Sequence, residues 1–139
     1  MVIVERLGTY KPEEVLPFVS FLPKKVAKNN PDCYREYEGH KVKMWSQRYK
    51  LFAKKGTKCV KCGVLGEFFR LERHEDTPRF HLNLYGVNDK GKEVMLTKDH
   101  IIPKYVGGTA CPTNLQVLCF YCNCIKGCKI ERKEDVQVQ

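Results

Sequence analysis

The sequence predicts an α+β fold: antiparallel strands leading into a C-terminal helix, with a helical or irregular N-terminal extension ahead of them. Three observations carry this prediction. Cys59/Cys62 and Cys119/Cys122 form two Cys-x-x-Cys pairs, the spacing at which four thiolates hold one zinc ion tetrahedrally. Phe80, Leu82 and Leu84 alternate with His81, Asn83 and Tyr85, a period of two that gives a strand one apolar face. Val42, Trp45, Tyr49 and Phe52 recur at three- and four-residue steps, the helical period.

The elements follow in order. Pro12, Pro17, Pro23 and Pro31 limit the first part of the chain to short elements and loops. Lys11 to Leu16 opens a short helix, with Pro12 in its first turn. Val42 to Lys54 is expected as a helix ended by Gly56, with Trp45 facing the core; base stacking is the other use open to this tryptophan. Phe68 to Glu72, Phe80 to Tyr85 and Glu93 to Thr97 are expected strands, the last two joined by a turn at Asn88-Asp89-Lys90-Gly91. His81 lies on the polar face of its strand, either as a hydrogen-bonded structural residue or near a substrate. The prolines and Gly107-Gly108 make Ile102 to Thr113 a loop. Leu115 to Leu118 is a short strand, and a helix runs from Phe120 towards Lys133 before a polar tail.

At 139 residues the chain is expected to form one domain, divided into a basic extension over 1–57, a metal-stabilised region over 58–134 and a tail over 135–139. Its 25 Lys and Arg exceed its 16 Asp and Glu by nine charges, which favours a polyanionic partner, nucleic acid ahead of an anionic membrane surface. Residues 1–57 hold 12 basic and 6 acidic side chains, so most of the excess precedes the first cysteine pair and marks a possible DNA-positioning region. No apolar run reaches the length of a membrane span, and the first residues lack the character of a signal peptide. A soluble cytoplasmic protein is expected. That setting, and the tight pairing of four of the eight cysteines, favour metal binding over a disulfide scaffold. Cys33, Cys111, Cys124 and Cys128 are left over, as reduced thiols or as a second, weaker metal site.

Between and beside the cysteines runs an ordered set: Asp99-His100-Ile101-Ile102-Pro103, Gly107-Gly108, Asn114-Leu115-Gln116, Leu118-Cys119-Phe120-Tyr121-Cys122-Asn123 and Lys126-Gly127. It resembles the HNH endonucleases, of the ββα-metal or His-Me finger class. The resemblance extends to the zinc-bearing subgroup, with one cysteine pair before the histidine and another at the start of the helix. It spans roughly residues 58–130. The phrase Phe80 to Tyr85 is similar to that of small phage and prophage proteins of the family, which would act in the host cytoplasm.

The resemblance implies a ββα-metal core with a structural zinc site, and metal-dependent hydrolysis or nicking of DNA, with no small-molecule cofactor. A neutral imidazole takes a proton near neutrality, so His100 is the expected general base. Asp99 and Asn123 are hard oxygen ligands suited to Mg²⁺ or Mn²⁺. Asn123 stands where many members carry histidine, and it can coordinate through its carbonyl oxygen. Asn114, the middle residue of the motif, is expected to brace the loop around His100. Lys98, Lys104 and Lys126 are candidate phosphate contacts or solvated surface lysines. Neighbouring residues on a strand point to opposite faces. For Asp99 and His100 to face one phosphate, the chain is therefore expected to leave strand geometry there. The rival readings are a zinc-stabilised DNA-binding module without catalysis, and a junction-specific or RNA-directed nuclease.

Overall fold

The computed structural model describes residues 2–127. Five strands form one antiparallel sheet in the order β1-β4-β5-β6-β7: β1 (Ile3–Tyr10), β4 (Phe68–His74), β5 (Phe80–Val87), β6 (Glu93–His100) and β7 (Leu115–Cys119). A separate hairpin joins β2 (Tyr34–Tyr37) to β3 (His40–Lys43). Three helices complete the fold: α1 (Lys24–Ala27), α2 (Gln47–Lys55) and α3 (Phe120–Gly127). The expected α+β class, with strands β6 and β7 leading into α3, is observed. The helix expected towards Lys133 is described as far as Gly127; Cys128 and the polar tail lie outside the described residues.

The alternation in β5 does what its period implies. Phe80, Leu82 and Leu84 join Phe69 and Leu71 of β4, Leu96 of β6 and Leu118 of β7 in one buried cluster. Tyr49, Leu51 and Phe52 of α2 close over it. The opposite face carries a compact polar knot. Glu72 is fully buried and accepts hydrogen bonds from Arg6 Nε (2.5 Å), Asn83 Nδ2 (2.8 Å) and Tyr85 Oη (2.5 Å), which together tie β1, β4 and β5.

Two sequence expectations change here. The helix placed over Val42 to Lys54 starts at Gln47, because Ser46 caps it by accepting the Tyr49 N–H at 3.2 Å. Val42 belongs to β3 and Trp45 to the connection, yet Val42, Trp45, Tyr49 and Phe52 are all buried. A strand followed by a helix thus mimics the burial period of one longer helix. Trp45 packs edge-on against Tyr34 at 4.9 Å in a small cluster with Ala27 and Cys33. Strand β1 carries no clear alternation because its register with β4 shifts twice, between Ile3 and Glu5 and between Arg6 and Thr9. Being an edge strand, it also leaves Val4 and Leu7 exposed. Lys11 to Leu16 forms short 3-10 turns at Pro12–Glu14 and Leu16–Phe18.

A fork in the sheet positions the site. Strands β5 and β6 pair only from Tyr85↔Met95 to Val87↔Glu93; beyond Met95, β6 pairs with β7 instead. Helix α2 fills the gap. Leu82 donates its N–H to Tyr49 Oη at 2.9 Å and accepts Arg48 Nη2 on its carbonyl at 3.1 Å. On the β6 side, Lys98 Nζ donates to Gln47 Oε1 at 2.8 Å. Side chains from α2 therefore serve the backbone of β5, which would otherwise lack partners there. Among the described residues no helix is long and apolar enough to cross a membrane.

Candidate functional site

The four paired cysteines converge. Cys59 and Cys62 sit on a tight turn whose ends bridge at Lys58↔Leu65, closed by Cys59 N–H to Val64 O at 2.9 Å and Gly63 N–H to Cys59 O at 3.0 Å. Val60 N–H donates to Val117 O at 3.0 Å and so fixes this turn to β7. The turn also lies against β5 at Gly86, where a Cβ would come within 2.1 Å of Leu65 O. Cys119 ends β7 and Cys122 falls in the first turn of α3. All four Sγ atoms lie within 4.8 Å of one another, and Cys62 and Cys119 are 3.7 Å apart. Tetrahedral zinc–sulfur bonds of about 2.3 Å imply sulfurs about 3.8 Å apart, so the cluster fits a bound ion. A disulfide needs about 2.05 Å, and every described cysteine is a free thiol.

The thiols respond to this crowding in opposite ways. Burial raises the Cys59 thiol, but the backbone N–H groups of Cys62, Cys119 and Lys61 outweigh burial and bring it down to about 6. Burial and the neighbouring sulfurs drive Cys122 upward. Four thiolates at this range repel one another, and a cation at their centre removes that conflict. Among the described residues this is the one such cluster; Cys33 is buried beside Ser20, and Cys111 and Cys124 are exposed.

The second assembly begins one residue further along α3. Asp99, His100 and Asn123 line a single cleft of about 240 Å³, together with Lys98, Lys104 and Lys126. Asp99 and His100 remain in regular strand, paired with Gln116 and Leu115. The expected departure from strand geometry is therefore absent. The cleft lies at the last rungs of β6, where α3 walls one side and the loop at Pro103 to Tyr105 the other, so neighbouring strand residues can both reach it.

Each side chain has its own support. Asp99 Oδ2 accepts from Lys126 Nζ at 2.6 Å and from Gln116 Nε2 at 2.9 Å. The Lys126 ammonium also donates to the backbone carbonyls of His100 and, at 3.3 Å, Ile101. Asn123 Nδ2 donates to Thr97 Oγ1 at 2.8 Å, and Thr97 Oγ1 donates to Leu118 O at 2.7 Å. With its nitrogen so occupied, Asn123 has its carbonyl oxygen left to meet a cation. Asp99 and Asn123 thus offer hard oxygens of the kind a divalent cation takes, with the Lys126 ammonium on Asp99 in this structure.

His100 is half-buried, and its Nε2 has no hydrogen-bond partner among the described residues. Burial lowers its pKa, and Lys98 and Lys104 push the same way against Asp99. The neutral imidazole, the form that accepts a proton, is favoured.

Asn114 lies outside the cleft lining, at the base of the loop. Its Oδ1 accepts the Ile102 N–H at 2.8 Å, and its Nδ2 donates to the carbonyls of Ile102 (3.1 Å) and Thr109 (2.7 Å). Its own carbonyl accepts the Ile101 N–H at 2.8 Å. One amide therefore closes the loop that follows His100. Gly108 is needed in the same loop, since a Cβ there would lie 1.7 Å from Ile102 O.

The three candidate lysines differ. Lys104 is exposed, Lys98 is half-buried and held by Gln47, and Lys126 is turned inward onto Asp99. Sequence reasoning missed Gln116, Thr97 and the inward role of Lys126. The antiparallel rung Asp99↔Gln116 was the available signal for the first. His81 lies half-buried on the polar face, its ring 6.3 Å from that of His74.

A family model described as HNH endonuclease matches residues 88–137, from the turn before β6 through α3 and past the last described residue. The match includes Asp99, His100, Asn114, Cys119, Cys122 and Asn123; the Cys59/Cys62 turn and helix α2 precede it. No curated protein and no solved structure gives a significant match.

Proposed function

Since residues 88–137 match a family model described as HNH endonuclease, we propose that the protein is a metal-dependent endonuclease that cuts or nicks DNA. The observation that carries this reading is the single cleft lined by Asp99, His100 and Asn123, with His100 Nε2 lacking a hydrogen-bond partner among the described residues.

His100 acts as general base. Its imidazole takes a proton from a water, whose oxygen attacks the phosphorus while the bond to the 3′ oxygen breaks; that oxygen takes a proton from solvent, giving 5′-phosphate and 3′-hydroxyl ends. Proton transfer of this kind contributes roughly 10²- to 10⁴-fold. Asp99 and Asn123 hold Mg²⁺ or Mn²⁺, which when bound supplies Lewis-acid stabilisation of the charge that builds on the phosphate. Gln116 and Thr97 keep the two ligand side chains in place, as partners of metal ligands commonly do. Asn114 holds the loop that follows the base. Lys98 and Lys104 contact phosphates, and Lys126 neutralises Asp99 until substrate and metal arrive. The four cysteines hold zinc, which anchors the first turn of α3 and with it Asn123.

On this reading residues 58–134 form the nuclease region, residues 1–57 position the DNA, and the protein acts in the cytoplasm, in the manner of small phage-borne enzymes. The test incubates pure protein and His100→Ala with supercoiled plasmid and Mg²⁺ or Mn²⁺. Nicked or linear product from the wild type alone is expected; equal cutting by both removes His100 as the base, and no cutting on duplex, nicked or branched DNA removes the nuclease reading.

A further inference from the structure

A second, wider cavity lies away from the cleft. It measures about 540 Å³, within the range of small-molecule sites, and opens between the β2–β3 hairpin, the turn after α1 and the segment entering β5. Its charged lining is entirely basic: Lys28, Lys41 and Arg79, all exposed and none in an ion pair among the described residues. Its flat surfaces are aromatic. Tyr34 forms one wall, and the exposed His40 ring lies 4.1 Å from that of Phe80 at a shallow 35°. Three cations without an acidic partner among the described residues, converging on a concave aromatic surface, call for a ligand that is anionic and flat. A nucleotide has both properties.

The cavity is joined to the cleft by a line of positive charge. Because β5 and β6 are antiparallel, with Tyr85 opposite Met95, the Phe80 end of β5 and the His100 end of β6 lie at the same end of the sheet. The fork between them is lined by Arg48 and Lys98. Neighbouring cations along this route are close enough to disfavour one another's charge. After burial, Arg79 and Lys24 lower Lys43. Burial, Arg48, His74, Lys43 and Arg79 lower His81, which stands between the two groups. A phosphate backbone laid along this route relieves that repulsion.

A base inside a continuous duplex is stacked on both faces and cannot lie against Tyr34 or His40. We propose that the cavity binds an unpaired nucleotide of the substrate strand, whose backbone follows the cationic route to the cleft, so that the favoured DNA is a duplex with a single-stranded extension. This rests on reading the cleft as a DNA-cutting site, but its test needs no cutting.

Fluorescence anisotropy with the full chain carrying His100→Ala compares a labelled blunt duplex, the same duplex with a short single-stranded tail, and one with an abasic tail of equal length. Stacking is worth about 1–3 kcal/mol per base, so the tail is expected to tighten binding roughly tenfold and the abasic tail to lose most of that gain. Adding His40→Ala, Lys41→Ala and Arg79→Ala, of which only exposed side chains are changed, should bring the tailed-to-blunt ratio close to one. Lys41→Arg with Arg79→Lys should keep it, and thermal melts confirm that each variant is folded. A ratio of one before these substitutions, a ratio that survives them, or an abasic tail that binds as well as a natural one overturns the proposal. Loss of plasmid cutting by His100→Ala is read separately, so the catalytic reading can fail or hold by itself.

Discussion

The cysteine cluster and the cleft meet at the start of α3, where Cys122 and Asn123 are neighbours, yet they are built on opposite plans. The cluster is closed: four cysteines, two on the turn before β4 and two at the junction of β7 and α3, with all Sγ atoms within 4.8 Å and backbone hydrogen bonds as its support. The cleft is open and mixed, taking a carboxylate and an imidazole from β6 and an amide from α3. Its support is distant in sequence, with Gln116 on Asp99, Thr97 on Asn123 and Asn114 on the loop. On the proposed function, the closed site of soft ligands holds structure, and the open site of hard oxygens, with an imidazole Nε2 unpartnered among the described residues, does the chemistry. The two should fail differently when damaged.

The largest effect is expected from breaking the cluster. Stripping the metal, or Cys59→Ser with Cys62→Ser, removes folding energy on the order of 10 kcal/mol. Circular dichroism should show a chain that melts at low temperature or not cooperatively, and cutting should vanish with the fold. His100→Ala should instead reduce plasmid cutting by roughly 10²- to 10⁴-fold while its melting curve overlays the wild type. If both variants unfold, the division between holding and reacting is wrong.

Smaller changes sharpen the contrast. Gln116→Ala leaves Asp99 with one fewer partner and is expected to weaken Mn²⁺ binding by about 10- to 100-fold, read by calorimetry, with little change in melting temperature. Asn114→Ala removes three side-chain hydrogen bonds from a half-exposed loop and is expected to cost about 2 kcal/mol, read as a lower urea midpoint, and to reduce cutting through the misplaced loop. Thr97→Val, nearly isosteric, loses only the hydroxyl that receives Asn123. A drop in metal affinity of less than about tenfold is expected from this outer contact, and an unchanged affinity would show that Asn123 orients itself.

Much of this contrast is legible in the sequence. The cysteine pairs can be read because zinc chelation depends on local spacing, and two residues between ligands force a turn wherever they occur. The alternation in Phe80 to Tyr85 and the Asn88 to Gly91 turn appear as β5 and its exit, with Gly91 N–H on Asn88 O at 3.0 Å. The helix at Val42 was harder, since a burial pattern does not say where a strand ends and a helix begins; Ser46 does, once its capping bond is visible. Strand β1 was not legible, because an edge strand with two register shifts exposes apolar residues and breaks its own period.

The sequence by itself determined which four paired cysteines could form one cluster, the order Asp99, His100, Asn114, Asn123, and the strand–strand–helix scaffold that carries them. These depend on chain-local spacing and periodicity. Only the tertiary structure decided that α2 fills the fork between β5 and β6, that Lys126 turns inward onto Asp99, and that Lys28, Lys41 and Arg79 converge on one aromatic cavity. Each of those depends on register and packing between segments dozens of residues apart, and no local pattern encodes which distant partner will satisfy a given hydrogen-bonding group or leave a given charge unpaired.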